Sequence, residues 1–456
     1  MATVAILVPE QYLWIRAMGW IFVGYRTWKQ PEEGLLFLAF FAPLFNNFGV
    51  VPIGFTLKPM EVPTSVTQHT LESVFFSIKP VHIITIFLIV ALSVRKKLFF
   101  KDPLDWVVVG SLIGIFAISL FSGAYSEDPL KAFRVSFNFA LLIVLCKVLM
   151  SMIDRRELFW RILHCYFLGV VFLCLVHMAD TLGGFTWFAQ DTRFNNHFGF
   201  QISMSLPLVL CFLLTPRKPS EKFWYLGVLA LGIFCILLSL SRSSMYGSLI
   251  GMAVFLGFLF ATGQKELRRK ILWFALFGVV WIGVSMAVYE SIYGGNVTTS
   301  LFRGKLVSFF KMFHPSYWRH AVLEDPNGGM FGERFVQLRA IKKLFLAHWA
   351  FGEGWTNRVI SFHGLFYTML TGTGLAGFAL FVYFMYRMFR ALGNAVRRDP
   401  DVATKALGIA LFSALVTWMV HCLMDTYFLQ FHIWLILAMS LAYIKLMLRS
   451  QVSLPS

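Results

Sequence analysis

The chain has 456 residues, 58% of them hydrophobic and only 14% charged, with a mean hydropathy of +0.70. A water-soluble core of this length uses far less apolar material, so the composition excludes a soluble globular protein and points to a membrane protein. The formal charge of +17 then reads as a topology signal, and a nucleic-acid role is unnecessary to explain it.

Taken from the N-terminus, the stretch 11–28 is rich in Trp, Tyr and Arg and predicts an interfacial helix. Glu10 and Arg16 interrupt the N-terminal apolar stretch, so no cleavable signal peptide is expected. About twelve apolar runs follow, near 35–57, 80–94, 104–123, 132–152, 158–180, 197–215, 223–240, 245–262, 271–289, 365–386, 405–424 and 428–447. Each is read as a helix crossing roughly 30 Å of hydrocarbon. Pro43, Pro52 and Pro207 fall within runs and predict kinks. The expected architecture is a single all-α polytopic domain over 1–456, with one long, partly helical loop at 290–364.

Lys and Arg orient it. With the N-terminus cytoplasmic, 25 of the 40 basic residues fall in inside segments. Six fall in short outside loops: Lys58, Lys79, Lys131, Arg134, Arg193 and Arg242. The remaining nine lie between Arg303 and Arg358, in the long loop, which the positive-inside rule does not govern. Both termini are therefore expected inside and the long loop outside.

The six cysteines all lie in or beside apolar runs and form no CxxC pair, which supports neither a disulfide framework nor a zinc site. No P-loop is present, which argues against a self-contained ATP-driven pump. On the outside, Arg242 sits in S-L-S-R-S-S-M-Y-G, where the connection between two runs is too short for a free loop. By default such an Arg snorkels to headgroups. The long loop adds Arg319, Arg334, Arg339, Lys342, Lys343 and Arg358. Apolar residues at 335, 338, 341, 345 and 349 recur at helical spacing and predict an amphipathic helix over 332–351 on the outer surface. Its basic face suits anionic headgroups and suits a pyrophosphate equally. Next comes I-S-F-H-G-L-F-Y-T-M-L-T-G-T-G-L-A-G, residues 360–377. At 100° per residue His363, Gly374 and Gly377 share one face of a continuous helix, which predicts close approach of a neighbouring backbone. The default role for such a His is a cap or an interfacial anchor.

These pieces resemble the superfamily of bacterial O-antigen ligases and O-antigen polymerases. The family signature is His, then Asn, Ser or Gln, then nine residues and Gly-x-x-Gly. Here it reads His363, Gly364, Leu365 to Thr373, and Gly374-Leu-Ala-Gly377, with Gly364 the departure. L-S-R-S-S-M resembles the family's Ser-Arg junction. G-E-R-F-V-Q through A-H-W-A-F-G-E-G-W resembles its loop helix followed by Gly-x-Gly, and R-F-N-N-H-F-G-F is a further, weaker match. The resemblance covers about 190–380; the first 190 residues agree only in hydropathy.

The resemblance implies a GT-C-like glycosyltransferase of the cell inner membrane with its active site at the periplasmic face. The implied reaction moves a glycan from undecaprenyl pyrophosphate to an acceptor hydroxyl, with inversion and without cofactor or metal. The acceptor is a second glycan for a polymerase, or lipid A-core for a ligase, and shared motifs leave the two open. Arg242 and Arg334 are the expected pyrophosphate ligands, since Arg stays ionised and binds phosphate bidentately. Arg319 and Arg339 are reserves. His363 is the expected general base. Arg193, Asn196, His421 and Asp425 are further candidates for substrate contact, although His421 and Asp425, one helical turn apart, suit a capped helix end as well. The alternative class is a lipid-linked glycan flippase or another multi-pass transporter. That class calls for ionisable residues near mid-membrane and for internal repeats, and no repeat is visible here.

Overall fold

A computed structural model describes residues 13–44, 80–94, 103–183, 194–215, 219–239, 241–261, 265–293, 329–356, 364–423 and 430–452. Every regular element among them is a helix. In chain order these are α1 (Leu13–Lys29), α2 (Pro31–Phe41), α3 (Pro80–Val94), α4 (Pro103–Ala124), α5 (Pro129–Met152), α6 (Arg156–Gly183) and α7 (Phe194–Leu214). They continue as α8 (Pro219–Ser239), α9 (Arg242–Ala261), α10 (Lys265–Tyr293), α11 (Gly329–Ala347), α12 (Leu365–Arg398), α13 (Val402–Cys422) and α14 (Phe431–Val452). Seven, namely α5, α6, α8, α9, α12, α13 and α14, are long and apolar enough to cross a membrane. Shorter apolar helices run over Ile84–Val94, Val108–Ala124 and Phe198–Leu214. The chain is thus an all-α polytopic membrane protein.

The helix starts follow local chemistry. Five begin on proline, which lacks the amide that a first turn would leave unbonded. Asp128 caps α5 by accepting from the Lys131 amide at 3.2 Å, and Asp401 caps α13 by accepting from Thr404 N–H at 3.1 Å. Of the prolines expected to kink runs, Pro207 lies inside α7, and Pro43 lies in the turn after α2. Gly169 of α6 is what admits that turn, since a Cβ there would meet Phe40 O and Pro43 Cγ. Pro52 lies outside the described residues.

The helices sort their junctions to two ends. At the basic end, Glu33 pairs with Arg26, Glu32 pairs with Arg155 and Arg161, and Arg156 approaches Asp401 at 3.8 Å. This gathers the α1–α2, α5–α6 and α12–α13 junctions. Behind them Asp399 is buried and accepts from Tyr443 Oη at 2.8 Å. The far end gathers the α4–α5 turn, the α8–α9 junction, the end of α13 and the start of α12. A core of apolar side chains from α2 to α14 fills the space between. On the periphery, α10 packs on α8 and α9. Trp281 Nε1 donates to Ala230 O at 2.7 Å, while Leu272, Trp273 and Val279 stay exposed, as a lipid-facing surface requires.

Candidate functional site at the far end

The first part of the site is the α8–α9 junction. Ser241 caps α9: its Oγ accepts from Ser244 N–H at 3.4 Å and from Ser244 Oγ–H at 2.9 Å, and it lies 3.1 Å from Ser243 Oγ. Ser239 Oγ accepts from Ser241 N–H at 3.3 Å. These serines fix the break between the two helices, and Arg242 follows as the first residue of α9. Its side chain lies outside the described residues.

The second part is a seam of small and polar residues where α7, α9 and α13 meet. A Cβ on Gly199 of α7 would fall 2.5 Å from Ser244 Oγ and 2.7 Å from Ser239 Oγ. One turn further in, Ser203 Oγ donates to Phe200 O at 2.8 Å, and His421 of α13 lies 2.8 Å from the same oxygen through Nε2. Ser203 has one hydroxyl proton and spends it on Phe200, so His421 donates and carries its proton on Nε2. The fully buried imidazole fits because position 247 is glycine; a Cβ there would fall 2.5 Å from Nε2. Gly251, four residues on, makes the same room for Thr417. Phe200 lies edge-on to both His421 and His432, at 4.5 and 4.9 Å. This is the Gly-xxx-Gly logic of membrane helices, with polar rather than apolar knobs. His421 is thus held among Ser203, Gly247 and Phe200.

The third part is the start of α12. It begins at Leu365, where the apolar run was expected to start, and is capped by Gly364 with φ 106 and ψ 122; His363 lies outside the described residues. That backbone favours glycine. A Cβ on Gly364 would lie 3.4 Å from Leu423 O and 3.5 Å from Cys422 O, so the start of α12 rests on the end of α13.

The helix is not continuous through the two glycines. Gly374 has φ 63 and ψ −168, a region essentially closed to other residues, and α12 breaks there. The 100° progression expected for the shared face therefore does not run unbroken through Gly374, and His363, the third member of that face, lies outside the described residues. The close approach predicted for the glycines does occur at Gly374, but its partner is the loop after α11 rather than a neighbouring helix. A Cβ on Gly374 would collide with the backbone of Ala350 and Phe351, and one on Gly352 would lie 2.5 Å from Thr373 N. Gly377 faces the Thr373 side chain of its own helix.

The break costs α12 the bonds from Leu375 N–H to Thr371 O and from Ala376 N–H to Gly372 O. All four groups find partners on the strap 348–356. Leu375 and Ala376 donate to Trp349 O and Ala350 O at 2.8 and 3.1 Å. Thr371 O and Gly372 O accept from Glu353 and Gly354 amides at 2.8 and 3.0 Å. Backbone beside lipid has to be satisfied within the protein, and here the satisfaction is reciprocal. The other side of the strap rests on α4. Tyr125 Oη donates to Gly352 O at 2.8 Å, Ser122 Oγ donates to Gly372 O at 3.1 Å, and Gly354 lies against the Gly123 backbone. Partial burial raises the ionisation of Tyr125 above the usual tyrosine value, so its hydroxyl remains a donor. Trp355 stacks on Phe139 at 5.8 Å and is buried.

The amphipathic helix expected over 332–351 forms as α11, but it ends at Ala347 because the chain turns into the strap. Ile341 and Leu344 are buried, whereas Leu338 and Trp349 of the expected stripe are exposed. Arg339, Lys342 and Lys343 are exposed, and α11 packs on α12. Arg334 belongs to α11, though its side chain lies outside the described residues, as does that of Asn196 in the first turn of α7. Arg193, Arg319 and Asp425 lie wholly outside them. Sequence reasoning missed Ser203, Gly247, Tyr125 and Ser122. The Gly247-xxx-Gly251 spacing was a readable signal for the seam, but nothing local marks Tyr125 as a strap contact. Among the described residues, no cluster of His, Cys, Asp or Glu has the arrangement of a metal site. In comparisons with known proteins, no family model and no curated protein matches the chain.

Proposed function

We propose that the protein is an inverting glycosyltransferase with about twelve spans in a GT-C-like arrangement. On this reading it transfers a glycan from undecaprenyl pyrophosphate to an acceptor hydroxyl at the periplasmic face of an inner membrane, as a surface-polysaccharide polymerase or an O-antigen ligase. One observation carries the reading: a continuous chain of contacts links the segments that bear the proposed groups. Gly364, next to His363, rests on the end of α13; His421 of α13 rests on Gly247; and Gly247 lies five residues into the helix that Arg242 begins. The strap joins α11, which bears Arg334 and Arg339, to the break in α12.

The chemistry assigned to these groups is simple. His363 takes the proton from the acceptor hydroxyl as its oxygen forms the new bond to the anomeric carbon. The bond from that carbon to the pyrophosphate oxygen breaks, and Arg242 and Arg334 answer the charge on the departing lipid pyrophosphate. Arg319 and Arg339 are the substitutes for Arg334, and the donor's pyrophosphate linkage supplies the driving force without ATP.

The test is transfer from a lipid-linked donor by purified protein, normalised to folded material. His363→Gln should retain undecaprenyl pyrophosphate binding and lose about 10²–10⁴-fold in turnover. Arg242→Ala and Arg334→Ala should abolish transfer, and Lys at either position should rescue poorly, because a point charge replaces a planar fork. Near-normal turnover in well-folded His363→Gln removes the base assignment, and a wild type without transfer or donor binding removes the whole reading.

A further inference from the structure

The strap 348–356 and the break in α12 are complements. Without the strap, the break leaves two amides and the Thr371 carbonyl unbonded, and leaves Gly372 O with only the Ser122 hydroxyl. Without the break, the strap has nothing to pair with. The glycines enforce this partnership: Gly352, Gly354 and Gly374 all have positive φ, and a Cβ at Gly352 or Gly374 would collide with the opposite backbone. Two helices thereby acquire a fixed relation, because the strap continues directly from α11 and is bonded into α12.

From outside this pair, α4 and the turn that follows it supply two hydroxyls. Ser122 reaches the α12 side at Gly372 O, and Tyr125 reaches the strap side at Gly352 O. The Tyr125 ring also packs against Phe121, which packs on Phe351, and stands 6.0 Å from the His348 ring at the head of the strap. Tyr125 therefore touches the point where α11 turns into the strap, and the strap itself. Its ring is about half exposed, so its hydrogen bond is made at the rim of the bundle and not in a packed core. A bond in that place is worth little to global stability and much to the closure of the strap.

We infer that Tyr125 is a positioning residue that latches the strap into the α12 break and so sets α11 relative to the start of α12. Resting on the function proposed above, this makes Tyr125 a determinant of affinity for the lipid pyrophosphate donor, because α11 carries the cations of the site. It acts through the strap and touches no reacting atom. With the latch open, α11 samples other positions and the donor binds less tightly. Donor that does bind meets an unchanged base and acceptor, so turnover at saturation is retained.

The experiment uses the full chain in lipid nanodiscs, with Tyr125→Phe and Ser122→Ala as deletions of a single hydroxyl each. Amide exchange is followed over 349–356 and 371–376, alongside binding of undecaprenyl pyrophosphate and steady-state transfer. Tyr125→Phe should exchange faster in both segments, with little change in α5 or α14. It should weaken undecaprenyl pyrophosphate binding and raise donor KM by about 2–10-fold, with kcat preserved. Ser122→Ala should speed exchange chiefly over 371–376. Unchanged exchange in Tyr125→Phe overturns the latch. Faster exchange with unchanged affinity, or a loss confined to kcat, overturns its link to the donor. If wild-type protein binds no undecaprenyl pyrophosphate, the donor reading falls, and the exchange data still decide the latch.

Discussion

Gly374 shows how much a single residue carries here. Its φ of 63 with ψ near −168 lies where only glycine rests comfortably, and its missing Cβ leaves the space that Ala350 occupies. Gly374→Ala should therefore lower stability by at least about 2 kcal/mol, from backbone strain plus a collision with backbone that cannot yield. A thermal melt in nanodiscs measures it, and a wild-type melting temperature would remove the argument. Gly364 offers a sharper contrast. Even Asn, the side chain most at ease with positive φ, is strained here, because φ 106 with ψ 122 lies well beyond the left-handed helical region that Asn tolerates. Gly364→Asn should accordingly be less stable and no more active than wild type. Asp401 adds a case in pH. The hydrogen bond from the Thr404 hydroxyl, with smaller help from backbone amides and Arg156, holds its carboxyl below the usual aspartate value. A depressed carboxyl stabilises the fold above its unfolded pKa and loses that contribution as pH falls through its folded one. Asp401→Ala should cost about 1 kcal/mol at neutral pH. That difference should shrink below about pH 4, which a pair of melts at two pH values checks.

Among the elements, the seam between α7, α9 and α13 joins by matched gaps and knobs rather than by bulk. His421 fills the space that Gly247 leaves, and Thr417 fills that of Gly251. Gly247→Ala should push the ring off Ser203 and destabilise by about 1–3 kcal/mol. His421→Ala should destabilise too, through a cavity and a lost donor to Ser203. The double variant should be markedly better than the sum of the two, because the added methyl then enters the space the ring vacates. Strict additivity in that cycle would mean the two residues do not share one space. The extent of α12 follows a different logic. At 34 residues it reaches about 51 Å, more than a bilayer core requires, and the break lets its first turns leave the axis of the rest.

For the molecule as a whole, the decisive property is its two-ended character. The ion pairs of Glu32, Glu33 and Asp401 gather at one end, and the seam, the strap and the start of α12 at the other. The exposed pairs add little stability, so this sorting is a matter of orientation in the membrane more than of strength. Ser220 is exposed at the start of α8 and belongs to the basic end by its place in the chain. Cysteine replacing Ser300 should label from the periplasm in intact cells, and cysteine replacing Ser220 should not. The reverse pattern would invert the topology and move the proposed site to the cytoplasm.

Much of this was legible in one dimension because burial in lipid is a local rule. Long apolar runs and apolar residues at helical spacing act within a few residues, and the helices from α3 to α14 stand close to where those signals put them. The junction before Arg242 was legible for the same reason, since the two flanking runs leave no room for a free loop, while its serine cap belongs to the folded structure. The break at Gly374 was not. An isolated helix would bridge that glycine at a cost of about 1 kcal/mol, and only the approach of the strap makes a kink better than a straight helix. The same holds for His421, whose partners Ser203 and Gly247 lie 218 and 174 positions away in the chain. Local chemistry determined which segments became helices. Tertiary contact decided where a helix had to stop being one, because the amides and carbonyls lost at the break are satisfied only by another part of the fold.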